Sequence, residues 1–149
     1  MWGQILAFGI AALTCSLMLQ TSSDVDQSVR QNQANAMAGN VLNYAQRVTT
    51  FAASNPTYTG TAPDASLALP TWLNKWPGTT NYINNGVPYT FMPGPQPGMS
   101  SSISRISQGK IHVGIKSGAT IVLPIGAPTF SLVQPLPAAI PDGAVVIVP

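Results

Sequence analysis

The residues able to do chemistry in this chain are few and badly placed for it. His112 is the single histidine of 149 residues, with Lys110 and Lys116 near it in the chain. Cations on either side repel a metal ion, so His112 reads as a surface strand residue. A Ser-His-Asp relay could draw its acid from Asp64 or Asp142, but no serine sits in a nucleophile elbow. Ser100 to Ser102 read as part of a flexible loop. The chain has four aspartates and no glutamate, so paired-carboxylate catalysis needs two distant side chains to converge. Cys15, the single cysteine, lies in an apolar run, which removes disulfides, thiol chemistry and zinc from everything after it. The glycines form no phosphate-binding loop, and Gly109-Lys110 is followed by Ile111 and reads as a turn. We expect no enzyme, no cofactor and no metal. The elements that would have to position these residues are more informative.

Charged residues make up 7% of the chain, against about 25% in an ordinary globular domain. Ser, Thr, Asn and Gln carry the solubility instead. With 13 glycines and 14 prolines, turns and short strands are favoured over a helical bundle. Net charge is +2, and Arg105, Lys110 and Lys116 have no interleaved aromatics, so a nucleic-acid partner is not expected.

The stretch from Trp2 to Leu19 is uncharged, and between Ile5 and Leu19 only Thr14, Cys15 and Ser16 interrupt its apolar run. As a helix it is about 27 Å long, close to the roughly 30 Å of a bilayer core. Trp2 would sit at the interface, with Ile5, Leu6, Phe8, Ile10, Leu13, Leu17 and Leu19 in the hydrocarbon. A cleaved signal would carry a basic residue before the run and small residues after it, and Met18, Leu19 and Gln20 are bulky. Ala12-Leu13-Thr14 fits poorly before a lipidated Cys15. A buried core helix would show a polar face. We therefore expect residues 1–20 to be an uncleaved membrane anchor. No Lys or Arg occurs before Arg30, and the short N-terminus with Asp24 and Asp26 after the span favours a C-terminal domain outside the cytoplasm.

Residues 21–55 read as a second, amphipathic helix, with Thr21 to Ser23 as either a cap or a break. Met37, Val41, Tyr44, Val48 and Phe51 are spaced by four, three, four and three, which places them on one stripe. The stripe is a core face against the domain's own sheet or, alternatively, a partner-helix interface. Pro56 ends the helix. A span running into such a helix, followed by a β-rich tail, is the plan of type IV pilins and pseudopilins. The basic leader ending in Gly and the Glu near the start of the mature pilin are missing, so a processed pilin is not expected.

Residues 56–149 read as a β-rich domain packed on that helix. Pro, Gly and Thr keep residues 56–76 irregular. Trp72, Leu73 and Trp76 are expected to cover one end of the core, or, for the two tryptophans, to mark a partner surface. Asn85-Gly86 predicts a hairpin between strands at Tyr82–Asn84 and Val87–Met92, and Pro88 predicts an open edge there. Further strands are expected at Ile103–Ile106, around Ile111, Val113 and Ile115 with Lys110, His112, Gly114 and Lys116 on a wet face, at Ala119–Leu123, at Phe130–Val133 and at Ala144–Val148. The fold class is α+β, a helix lying on an antiparallel sheet of about four to six strands.

The run "FAASNPTYTGTAPDASLALPTW" from Phe51 to Trp72 resembles the PilM family of type IVB thin-pilus systems on conjugative plasmids, the small inner-membrane PilM rather than the actin-like protein of that name. The likeness continues through "IHVGIKSG" and an ending of Ile140, Pro141, Asp142 and Gly143. It implies a single-pass inner-membrane protein whose periplasmic domain supports assembly of a mating pilus. Its partners would be other inner-membrane and periplasmic assembly proteins, and pilin. Docking would use the Met37–Phe51 stripe, an edge strand, or the Trp72/Trp76 end. Two alternatives stand beside this: a minor pilin-like subunit that enters the filament, and an anchored periplasmic serine hydrolase.

Overall fold

The computed structural model describes the backbone of residues 2–94, 98–122 and 135–148, with side chains from residue 25 onward. Among these described residues are a long helix α1 (Trp2–Ser54), a 3-10 turn at Asp64–Ser66, a short helix α2 (Met99–Ile106), and five strands. The strands are β1 (Thr80–Asn84), β2 (Val87–Met92), β3 (His112–Ser117), β4 (Thr120–Val122) and β5 (Val145–Val148). The chain divides into two compact units, residues 1–33 and 34–149. α1 runs through Thr21 to Ser23 without a break. Among the described residues no helix is long and apolar enough to cross a membrane. The expected anchor from Trp2 to Leu19 lies outside the residues whose side chains are described.

In the second unit the strands form one antiparallel sheet in the order β1-β2-β5-β3-β4. The C-terminal strand therefore fills the centre, and its four apolar residues are all buried. Successive side chains on a strand point to opposite faces, and here both faces are covered. Val145 and Ile147 join Val113 and Met92 against Met37, Val41 and Ala45 of α1. Val146 and Val148 join Tyr89 and Phe91 against Leu136 and Ile140 on the other face. Val41, Tyr44 and Val48 are fully buried, each contributing roughly 1.5–3 kcal/mol of apolar burial. Phe51 is half-buried and stacks edge-on against Tyr58 with ring centroids 5.2 Å apart.

The hairpin turn has φ of 48° at Asn85 and 77° at Gly86, the left-handed pair that a two-residue turn of this twist requires. A Cβ on Gly86 would lie 2.4 Å from the Pro56 carbonyl oxygen, so the loop leaving α1 closes over a position that admits no side chain. Pro88 is tolerated because β2 pairs with β5 only from Thr90 to Met92, leaving that side of Pro88 without a ladder partner.

Three expectations are corrected. Ile103–Ile106 is not a strand: Met99, Ser102, Ile103 and Ile106 recur at helical spacing in α2, whose first three are buried. The low helix propensity of three consecutive serines concealed this. The wet face of β3 is also not as expected, since Lys116 is buried at 7% exposure and Ile115 is 40% exposed. The layer containing Ile140 and Ala144 covers the Lys116 face, and the Lys116 ammonium escapes by bonding Asp142 at 2.6 Å. Finally, of Trp72, Leu73 and Trp76 only Leu73 is buried in the core, as described below. The strand expected at Phe130–Val133 lies outside the described residues.

Candidate docking site

The residues with catalytic potential are dispersed. His112 is exposed on β3, Ser100 to Ser102 lie in α2 with Ser102 buried, and Asp64 and Asp142 are paired with Lys75 and Lys116. Among the described residues no group of three His, Cys, Asp or Glu side chains could hold a metal ion. Two surfaces of the second unit can be described in detail.

The first surface is the loop between α1 and β1. Asn81 projects from β1 toward α1 and satisfies the loop's backbone at Ala62. The Ala62 N–H donates to Asn81 Oδ1 at 2.9 Å, and Asn81 Nδ2 donates to the Ala62 oxygen at 2.9 Å and to the Tyr44 hydroxyl at 2.7 Å. Tyr44 in turn donates to Asp64 Oδ1 at 2.9 Å, while Lys75 bonds the other carboxylate oxygen and lies 5.2 Å from the Tyr44 ring centre. Buried polar groups need partners, and this network supplies them while tying helix, loop and strand together. Burial raises the Tyr44 hydroxyl well above its usual range, against the bond from Asn81, and the Asp64 carboxylate adds to the rise. Burial would raise Asp64 as well, but the bonds from Lys75 and Tyr44 and the nearby Lys75 charge outweigh it and hold the carboxyl below its usual value.

A pH dependence follows. With its folded-state value depressed, Asp64 holds fewer protons in the folded than in the unfolded chain. Its stabilisation is present above the ordinary carboxylate range and is lost as pH falls through the folded value. The carboxylate is 45% exposed, so solvent screening limits the effect to about 0.5 kcal/mol. Urea midpoints of the Asp64→Asn variant and the parent should differ at pH 7 and converge toward pH 3; a constant difference contradicts this.

Asn40 of α1 clamps the tryptophan-bearing turn, donating to the Asn74 oxygen at 2.7 Å and accepting from the Trp76 N–H at 2.9 Å. The turn is closed by the Leu73 N–H bonding the Pro70 oxygen at 2.9 Å, and it is Leu73 that enters the core beside Tyr44 and Val48. Trp72 is left 68% and Trp76 37% exposed. Adjacent residues of so tight a turn cannot both face inward, and of Trp72 and Leu73 it is the smaller that takes the place.

The second surface is a groove of about 440 Å³ between α1 and the end of α2. Its apolar lining includes Leu42, Pro88, Ile106, Ile111 and Ile147, its rim includes Asn43, Gln46, Thr49 and Ser107, and none of the lining residues is charged. Gly39 contributes bare helix backbone, and a Cβ there would meet nothing within 4 Å. Sequence reasoning passed over this groove. Its signal was a glycine inside a helix, where glycine costs about 1 kcal/mol relative to alanine. Gly39→Ala should accordingly raise the melting temperature by ~4 °C; a decrease would show that the backbone there is tighter than the structure has it.

The profile of the PilM family matches residues 8–148. Among solved structures, a pilM protein from Pseudomonas aeruginosa 2192 is similar at 31% identity, covering 78% of this chain and 93% of that one, with a TM-score of 0.48. The protein PilM from Escherichia coli B7A is similar at 16% identity, covering 77% and 89%, with a TM-score of 0.56, a likeness of fold. A comparison with curated proteins finds no match.

Proposed function

The chain belongs to the PilM family, and from that premise we propose that it is a structural component of a type IVB thin-pilus assembly machine serving conjugation. Family membership carries the pilus-related role. The finer reading joins it to the uncharged Trp2–Leu19 segment, which would hold α1 in the inner membrane with residues 34–149 in the periplasm. The protein then acts by docking. Asn40 and the Tyr44–Asp64–Lys75 cluster hold the exposed Trp72/Trp76 turn in one conformation, and preorganised aromatic side chains suit a partner contact. The test is complementation. A strain lacking the protein should lose thin pili and mating. The full chain should restore both, and a chain lacking residues 1–20 but carrying an export signal should restore neither. Normal piliation without the protein overturns the proposal.

A second reading draws on the unbroken course of α1 from Trp2 to Ser54. One helix entering a β-rich domain is also the build of a pilin-like subunit, which would be recovered in sheared pili.

A further inference from the structure

We infer that a small pocket between the last two turns of α1 and the 3-10 turn receives an acidic residue carried on an extended peptide segment of another assembly protein. The class of partner rests on the function proposed above, and the chemistry of the contact rests on the pocket.

One wall is a single face of α1, where Arg47, Thr50, Phe51 and Ser54 recur at helical spacing. The opposite wall is Ser66, Leu67 and Ala68, at the end of the 3-10 turn. Leu67 belongs to the core cluster of Tyr44, Val48 and Leu73, and Phe51 packs on it, so both walls are fixed before a partner arrives. The space between them is about 230 Å³, room for a side chain and its own backbone but not for a helix.

The occupant's charge follows from Arg47. Its side chain is exposed. Both acids of residues 34–149, Asp64 and Asp142, bond lysines, so no carboxylate of its own unit is left to pair with it. A guanidinium offers donors only and meets a carboxylate with two parallel bonds. The neighbouring hydroxyls ask for the opposite. Thr50 donates to the Gln46 oxygen at 3.0 Å and Ser54 to the Thr50 oxygen at 3.2 Å, so each has only lone pairs left to offer. A sulfate or a phosphodiester meets Arg47 but carries no proton for these oxygens. An extended peptide supplies both partners, a carboxylate and main-chain N–H groups that no helix has used. Ala68 adds a second observation. Its φ is 47°, in the left-handed region that glycine adopts freely and alanine only at a cost. A methyl group is nonetheless held there, on the pocket wall.

The test is zero-length crosslinking in membranes of cells carrying the whole pilus system. Arg47→Lys keeps the charge and supplies an amine that carbodiimide joins to a carboxylate only at contact distance. The expected adduct, read by mass spectrometry, links that amine to an Asp, Glu or C-terminal carboxylate of a second pilus-assembly protein. Ala53→Lys, exposed on the same helix outside the pocket, should give at least tenfold less. Thr50→Val or Ala68→Gly, each combined with Arg47→Lys, should lower the yield at least threefold with no fall in melting temperature. Arg47→Glu should reduce mating at least tenfold at unchanged melting temperature, and replacing the crosslinked acid with Lys should restore it. An adduct with a second copy of this chain or with a cell-wall peptide overturns the inference. So does no adduct, an equal yield from Ala53→Lys, or a yield indifferent to either pocket variant. Parent-like mating by Arg47→Glu, in a strain where deletion of the protein abolishes mating, would sink the pocket assignment while leaving the assembly role standing. Mating without the protein would sink the assembly role itself.

Discussion

Gly114→Ala is expected to destabilise the domain by roughly 3 kcal/mol, at the upper end of what overpacking costs. Gly114 lies on β3 opposite β5, with β4 packed close beside it. An added Cβ would stand 2.2 Å from Ile121 Cγ2 and 2.5 Å from the Val122 carbonyl oxygen. The methyl could turn aside, but the oxygen belongs to the backbone of β4, so the strand itself must move. Since the described part of β4 is three residues at the edge of the described sheet, the expected result is loss of its pairing and a large drop in the urea midpoint. Parent-like stability for Gly114→Ala would mean that β4 does not sit where it is placed.

Asn81→Ala is expected to cost about 3–5 kcal/mol, from three hydrogen bonds lost among groups that are mostly buried, each worth about 1–3 kcal/mol when left unpaired. The Ala62 N–H and carbonyl lose their partners, and the Tyr44 hydroxyl loses the donor that satisfies it. A local consequence separates this from general destabilisation. The loop from Asn55 to Thr79 should loosen first, so limited trypsin digestion should cut after Lys75 much faster than in the parent under native conditions. Asn81→Asp should share the defect, because a carboxylate cannot donate to the Ala62 oxygen. Equal cleavage rates in parent and variant would contradict the role given to Asn81.

These two positions also mark how far the sequence could be read. The Asn85-Gly86 hairpin and the end of α1 at Pro56 were legible, because each depends on neighbours in the chain. So was the spacing that puts Met37, Val41, Tyr44 and Val48 on one side of α1, and the expectation that this side lies on the domain's own sheet, where Met37 and Val41 meet Met92, Val113 and Ile147. The burial of Lys116 was not legible, since period-two alternation assigns faces without saying that both faces of the sheet are covered. Asn81 lies just before the strand expected at Tyr82–Asn84 and carried no signal of its own, since its importance comes from Ala62 and Tyr44, which are 19 and 37 residues away. α2 was missed because local propensity opposed it and tertiary packing of Met99 and Ile103 overrode propensity. The groove involves α1, β2, β5 and the end of α2 at once, and no window along the chain contains it.

The central claim, an anchored assembly component rather than a filament subunit, is tested most directly by fractionating cells that carry a C-terminally tagged chain, with sheared pili examined in parallel. The account predicts full-length protein in the inner membrane, degraded by protease added to the periplasmic side, and none in the pili. A shortened protein free in the periplasm, or full-length protein recovered in the sheared pili, would contradict it.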